Sequence, residues 1–192
     1  MRTLIPSPTS PDPEIRVLVV LDVDGVLNTF ISGEPAAKRV LRPGRWVPRG
    51  GREPLYIQFD TEIIDALDEQ VHRPGVQLAW LTTWAVDLQS LISVAFDDRL
   101  SGGFMMAARP DTIFVPEDWK HRALLDSLDL MENPAYVWAD DDAVRLAMMT
   151  RPAFADSSGR GGGNRLLIPT DPEHGLTFED IDRIRDFIDT HA

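Results

Sequence analysis

Apolar and polar positions along the chain alternate between two kinds of pattern. Short apolar runs recur from Val17 to Leu21, where a first strand is expected over Leu18–Val23, and at Val76–Leu81, Ala135–Ala139 and Leu166–Ile168. Such runs have the length of strands buried on both faces. Between them lie segments with helical spacing. Ile63, Ile64, Leu67 and Val71 fall on one face of a helix over Thr61–Val71, with Asp60 or Thr61 as cap and Pro74-Gly75 as stop. Leu88, Leu91, Ile92 and Ala95 define a second helix, Trp119–Leu128 a third and Ala143–Met149 a short fourth. Phe178, Ile181, Ile184, Phe187 and Ile188 line a terminal helix over Thr177–Ile188, where Thr177 and Asp180 form a capping-box pattern. A short strand is expected near Phe104–Ala107. Strands that alternate with helices predict an α/β fold, with three α/β/α layers around a central parallel sheet in a Rossmann-like arrangement.

Two stretches lack this periodicity. Residues 1–14, rich in Pro, Ser and Thr, read as a flexible lead-in. Residues 15–192 then form a single domain, interrupted at about 29–57 by scattered Gly and Pro. That interruption is expected to be an inserted loop or a hairpin-like flap. Ser157–Asn164 reads as a glycine-rich loop; it lacks the Lys-Ser/Thr ending of a phosphate-binding P-loop.

Composition narrows the class. The chain has 192 residues, enough for one domain with a real core, and no apolar run long enough to span a membrane. It contains no cysteine, which removes disulfides and thiolate zinc sites. With no signal-peptide pattern at the first residues, a cytoplasmic location is expected. The net charge of −12 argues against binding nucleic acid through the whole surface. The flap region is the exception. Lys38, Arg39, Arg42, Arg45, Arg49 and Arg52 stand there against Glu34 alone. The block is either a solvated loop or a binding surface for a large or multiply charged anion.

Candidate chemistry sits where the apolar runs end. The first run is followed by Asp22-Val23-Asp24-Gly25, the second by Thr82-Thr83-Trp84 and the third by Asp140-Asp141-Asp142; Lys120 opens the helix between the last two. In a parallel sheet these strand ends share one edge, the edge where ligands bind. Carboxylates brought together repel one another, and a divalent cation is the simple remedy. An all-oxygen site without Cys or clustered His favours Mg²⁺. By residue chemistry alone Thr83 is as good a hydroxyl as Thr82. Trp84 could stack on a ring of the substrate, although such a tryptophan is more often core. Asp142 is expected to cap the helix that follows it.

The four elements Asp22-Val23-Asp24-Gly25-Val26, Thr82, Lys120 and Asp140-Asp141 resemble, in order, the motifs of the haloacid dehalogenase-like superfamily in its phosphohydrolase form. Trp80-Leu81-Thr82-Thr83-Trp84, with Leu166-Leu167-Ile168-Pro169 and Gly175-Leu176-Thr177, looks like the branch associated with RNA-repair proteins. The resemblance implies a Mg²⁺-dependent phosphatase that hydrolyses a phosphate monoester through an aspartyl-phosphate. Asp22 would be the nucleophile and Asp24 the general acid and base, protonated where Asp22 is not. Thr82 would hold a phosphoryl oxygen, and Lys120 would balance charge. The metal would be bound by Asp22, the Asp24 main-chain carbonyl and Asp140, with Asp141 in support.

Gly25 would let backbone approach the phosphate, and Thr83, Trp84, Arg42 and Arg45 would meet the rest of the substrate. That substrate is expected to be a nucleotide or a nucleic-acid end. The same residues also fit a phosphotransferase or mutase with the same intermediate, or a noncatalytic phosphate-binding protein. A binder has no need of the proton shuttle at Asp24. Oligomeric state is not legible at this level.

Overall fold

The computed structural model describes residues 15–30, 37–47, 51–107, 115–151 and 163–192; at 37–47 and 51–56 it describes the backbone alone. The lead-in 1–14, Arg49 and most of the glycine-rich loop lie outside the described residues.

Five strands form an all-parallel sheet: β1 (Val17–Leu21), β4 (Val76–Trp80), β5 (Phe104–Met105), β6 (Ala135–Asp140) and β7 (Arg165–Pro169). Their order is β5-β4-β1-β6-β7. β1 is central, and its apolar run follows from that position, because both neighbours and both faces exclude water. Its side chains divide by parity, as the two-residue repeat of a strand requires. Val17, Val19 and Leu21 join one core with Ile64 and Leu67 of α1 (Thr61–Val71) and with Ile181, Ile184 and Ile188 of the terminal helix (Phe178–His191). Leu18 and Val20 join a second core with Leu124 and Leu128 of α3 (Trp119–Leu130) and Val144 of α4 (Ala143–Thr150). Two cores on opposite faces of one sheet make the three layers expected from the sequence.

Local signals account for the helix ends. The Asp60 carboxylate accepts the backbone N–H groups of Glu62 and Ile63. Thr177 and Asp180 make a reciprocal capping box at the start of the terminal helix, α5. The second helix departs from expectation. α2 (Leu88–Ser90) is three residues long and passes into a π-helical turn over Leu91–Ala95, in which the Phe96 N–H donates to the Leu91 carbonyl (3.1 Å). Leu88, Leu91, Ile92 and Ala95 are buried all the same. Apolar spacing reports the buried face and is satisfied by either winding.

The insertion after β1 contains a two-stranded antiparallel ribbon, β2 (Ala37–Val47) and β3 (Gly51–Phe59). Of the two expectations for this insertion, the hairpin-like flap agrees with the ribbon, which accommodates Pro43 and Pro54. A two-stranded ribbon has an unpaired edge on each strand, where proline costs no ladder bond. The register shifts between Val40 and Arg42 and again between Arg42 and Arg45. The base of β3 is embedded in the domain. Ile57 and Phe59 are buried, and Phe59 meets Phe96 edge-to-face at 5.1 Å.

Candidate active site

The register of the sheet brings the polar residues together. Leu21 of β1 lies beside Trp80 on one side and Ala139 on the other. One step further along, Asp22 and Asp140 emerge at the same edge, and Thr82 follows Leu81. The Asp22 N–H donates to the Ala139 carbonyl (3.1 Å), and the Leu81 N–H donates to the Leu21 carbonyl (2.9 Å). The parallel pairing thus continues to the point where the carboxylates appear.

Lys120, in the first turn of α3, reaches over this edge. Its ammonium is ion-paired with the Asp22 carboxylate and donates to Asp140 Oδ2 at 2.7 Å. All three residues are buried. The other oxygens are also held. Asp22 Oδ1 accepts the Val23 N–H (2.6 Å). Asp140 Oδ1 accepts the N–H groups of Asp142 (3.0 Å) and Ala143 (2.6 Å) at the start of α4. Asp140 therefore does the capping expected of Asp142, whose side chain makes no cap bond. The aligned amides of a helix N-terminus suit a carboxylate. They fix Asp140 so that its second oxygen faces Lys120.

Asp141 completes the group. One oxygen each from Asp22, Asp140 and Asp141 lie within 4.8 Å of one another. Gly25 explains how Asp141 comes so close. Its φ is +70°, and a Cβ there would stand 2.5 Å from the Asp141 Oδ2. Its N–H donates to the Asn28 carbonyl (2.9 Å) and so serves the turn. Gly25 makes room for the Asp141 carboxylate.

Asp24 is half-buried and lines a cavity of about 580 Å³ together with Asp22, Lys120, Asp141, Glu117 and Asp142. Thr82 is fully buried beside Asp22, and its hydroxyl accepts the Trp84 N–H (3.2 Å). Thr83 is exposed. Trp84 is 8% exposed and belongs to the core beneath the sheet edge. Of the two readings of this tryptophan, its burial agrees with core packing, which leaves almost none of its ring accessible. Arg42 sits on β2 opposite Leu55 of β3, and Arg45 opposite Glu53; their side chains lie outside the described residues.

Two contributors were not legible beforehand. Asn28 donates to Asp24 Oδ1 (2.7 Å). Thr170, at the end of β7, donates its hydroxyl to the Gly25 carbonyl (2.7 Å), and Arg145 holds the Thr170 carbonyl (2.7 Å). Both are polar residues beside apolar runs, a weak signal without the fold.

The charge balance is unfavourable as it stands. Burial pushes the Asp22 carboxyl up to about 6, and Lys120 only partly opposes it. Burial also raises Asp140 and Asp141. Burial disfavours the Lys120 ammonium too, but Asp140 and Asp22 outweigh it and raise its pKa. One ammonium serves three carboxylates, so the acids remain undercompensated. Three oxygen donors at this spacing, short of positive charge, fit a hard divalent cation.

A stability test follows from these directions. An acid whose folded pKa lies above its unfolded value binds more protons when folded, so its contribution to stability falls as pH rises. In EDTA, wild-type protein should therefore lose stability relative to Asp22→Asn as pH rises from about 4 to above 6. Below about 4 the difference should stop changing with pH. Added Mg²⁺ should raise the melting temperature more at pH 7.5 than at pH 5, because protons compete for the same oxygens. Thermal melts across this range check both. A pH-independent difference between the two proteins would rule out this charge balance.

Comparison with curated proteins and with solved structures finds no significant match. A family model described as "HAD domain in Swiss Army Knife RNA repair proteins" matches residues 18–181, from the first residues of β1 into α5. With the all-parallel sheet and the Asp22, Asp140 and Asp141 cluster at its edge, this match over most of the chain shows that it belongs to the HAD domains of Swiss Army Knife RNA repair proteins.

Proposed function

We propose that the chain is a phosphatase that removes a terminal phosphate from a nucleic-acid or nucleotide substrate through an aspartyl-phosphate on Asp22. The HAD family supports a phosphohydrolase-type function. The observation that carries the reading is the convergence of Asp22, Asp24 and Lys120 on one cavity at the sheet edge.

In the first step an Asp22 oxygen attacks phosphorus and the bond from phosphorus to the leaving oxygen breaks. Asp24 gives its proton to that oxygen. In the second step Asp24 takes a proton from water as the water oxygen attacks the same phosphorus. Inorganic phosphate leaves and Asp22 is restored. Lys120 balances charge on Asp22 as an anionic phosphate approaches. The Thr82 hydroxyl would donate to a phosphoryl oxygen. Asp22, Asp140 and Asp141, with the Asp24 main-chain carbonyl, would hold Mg²⁺, which would neutralise charge between the nucleophile and the phosphate.

The substrate class rests on charge and on the family. The charged residues of the cavity lining are acidic apart from Lys120, so the further phosphates of a polyanion are better accommodated on the ribbon, where Lys38, Arg39, Arg42, Arg45 and Arg52 lie. A family described by RNA repair favours a nucleic-acid end.

The test is a phosphatase screen with Mg²⁺ across mononucleotides, 3′- and 5′-phosphorylated oligonucleotides, sugar phosphates and p-nitrophenyl phosphate. Release of phosphate from oligonucleotide ends, silenced by EDTA, is expected. Replacing Arg42, Arg45 and Arg49 with Ser should raise KM for oligonucleotides more than for p-nitrophenyl phosphate. Equal effects would remove the ribbon from substrate binding. Metal-dependent binding without turnover would replace the phosphatase reading with that of a binding protein.

A further inference from the structure

Asn28 is 7% exposed and uses both ends of its amide. Its Oδ1 accepts the backbone N–H of Gln58 on β3 at 2.9 Å. A backbone N–H only donates, so the atom facing it must be the oxygen, and the amino group must face Asp24. That group donates to Asp24 Oδ1 at 2.7 Å. The neighbouring backbone strengthens the link, since the Thr29 N–H donates to the Gln58 carbonyl (2.8 Å). The anchor is firm, because Ile57 and Phe59 on either side of Gln58 are buried.

We propose that Asn28 is the positioning residue for the acid–base carboxyl, tying Asp24 to the embedded base of the ribbon; this rests on the phosphatase reading. The tie has a chemical consequence. Asp24 Oδ1 is occupied as an acceptor, so the transferable proton resides on Oδ2, the oxygen left for the leaving group and for water. The carboxyl is thus oriented before substrate arrives. Gln58 joins the device through its backbone alone, so its side chain is not required.

The test exploits the leaving group. Expulsion of a ribose oxygen needs the proton from Asp24, whereas p-nitrophenolate leaves without it. kcat/KM reports the chemistry up to phosphoryl transfer, so it isolates the acid step. Asn28→Ala should lower kcat/KM for a 5′-phosphorylated oligonucleotide by about 10²-fold and that for p-nitrophenyl phosphate by less than ~5-fold. Asn28→Asp keeps the acceptor for Gln58 but loses the donor to Asp24, and should show the same split with the ribbon bond intact. Gln58→Pro removes the N–H that orients Asn28 and should shift both substrates in the same sense, more weakly. Equal losses on both substrates in a folded variant, or no loss, would overturn the role of Asn28 while leaving the phosphatase reading standing. Absence of turnover in the wild type would instead defeat the phosphatase reading itself.

Discussion

Asp22→Asn is expected to lower turnover by at least about 10⁴-fold, because the amide is no nucleophile toward phosphorus and no neighbour can take its place. Asp24, just beyond β1, is the nearest alternative in the chain, but Asn28 holds one of its oxygens. The same substitution should leave the protein folded, and more stable than wild type in EDTA near pH 7. Asp22 is buried and its carboxyl is raised to about 6, so its charge is carried at a cost. Asparagine keeps an acceptor for the Val23 N–H and removes that cost. Loss of activity with gain of stability is the signature of a catalytic carboxylate. Steady-state assays and thermal melts on one preparation check it. Retained turnover on every substrate would remove Asp22 from the reaction.

Lys120→Met should do the opposite to stability. Methionine fills much of the space of the lysine stem, but it leaves Asp22 and Asp140 facing each other without their shared cation. Removing one partner from a buried ion pair costs about 3–5 kcal/mol. The loss should be greatest near neutral pH in EDTA. Both acids are already raised in the wild type and rise further without the ammonium. The folded state then binds more protons than the unfolded state, so stability returns as pH falls through the carboxylate range. Asp140→Asn on the same background should restore part of it, because the amide oxygen still accepts from Asp142 and Ala143. kcat/KM with Mg²⁺ should fall by about 10²–10³-fold, the scale of losing one preorganised electrostatic contact. Chemical denaturation at several pH values measures the stability term. A loss below about 1 kcal/mol would mean that the ammonium behaves like a surface pair.

These two variants separate charges that look alike in a list of acidic and basic residues. On the proposed reading, Asp22 costs stability and would supply chemistry. Lys120 would supply both, since it holds the site together and would balance charge in the reaction. The ordering agrees with the geometry, in which α3 reaches over β1 and β6 to place one ammonium between two carboxylates.

The sequence by itself determined the strands, the buried faces of the helices and the reaction edge. Apolar runs of strand length with polar endings leave few alternatives, because buried parallel strands need continuous apolar side chains and charges must wait for the sheet edge. That Asp22, Thr82 and Asp140 reach one edge was legible for that reason, whereas Lys120 opens a helix and was singled out by the resemblance. The ribbon was foreseen only as one of two alternatives, because Pro43 and Pro54 suit a loop as well as an edge strand, and the π-turn at Leu91–Ala95 was obscured by a spacing that serves either winding.

Only the tertiary structure decided how the residues act on one another. It gave the cap of α4 to Asp140, put Trp84 in the core, and spent the freedom of Gly25 on admitting Asp141. It also made Asn28 the link between Asp24 and β3. Each of these is a contact between segments that spacing along the chain does not constrain. Local sequence sets which residue types reach the edge. The register of β1 between β4 and β6, and the approach of α3 and β3, set which of their atoms meet.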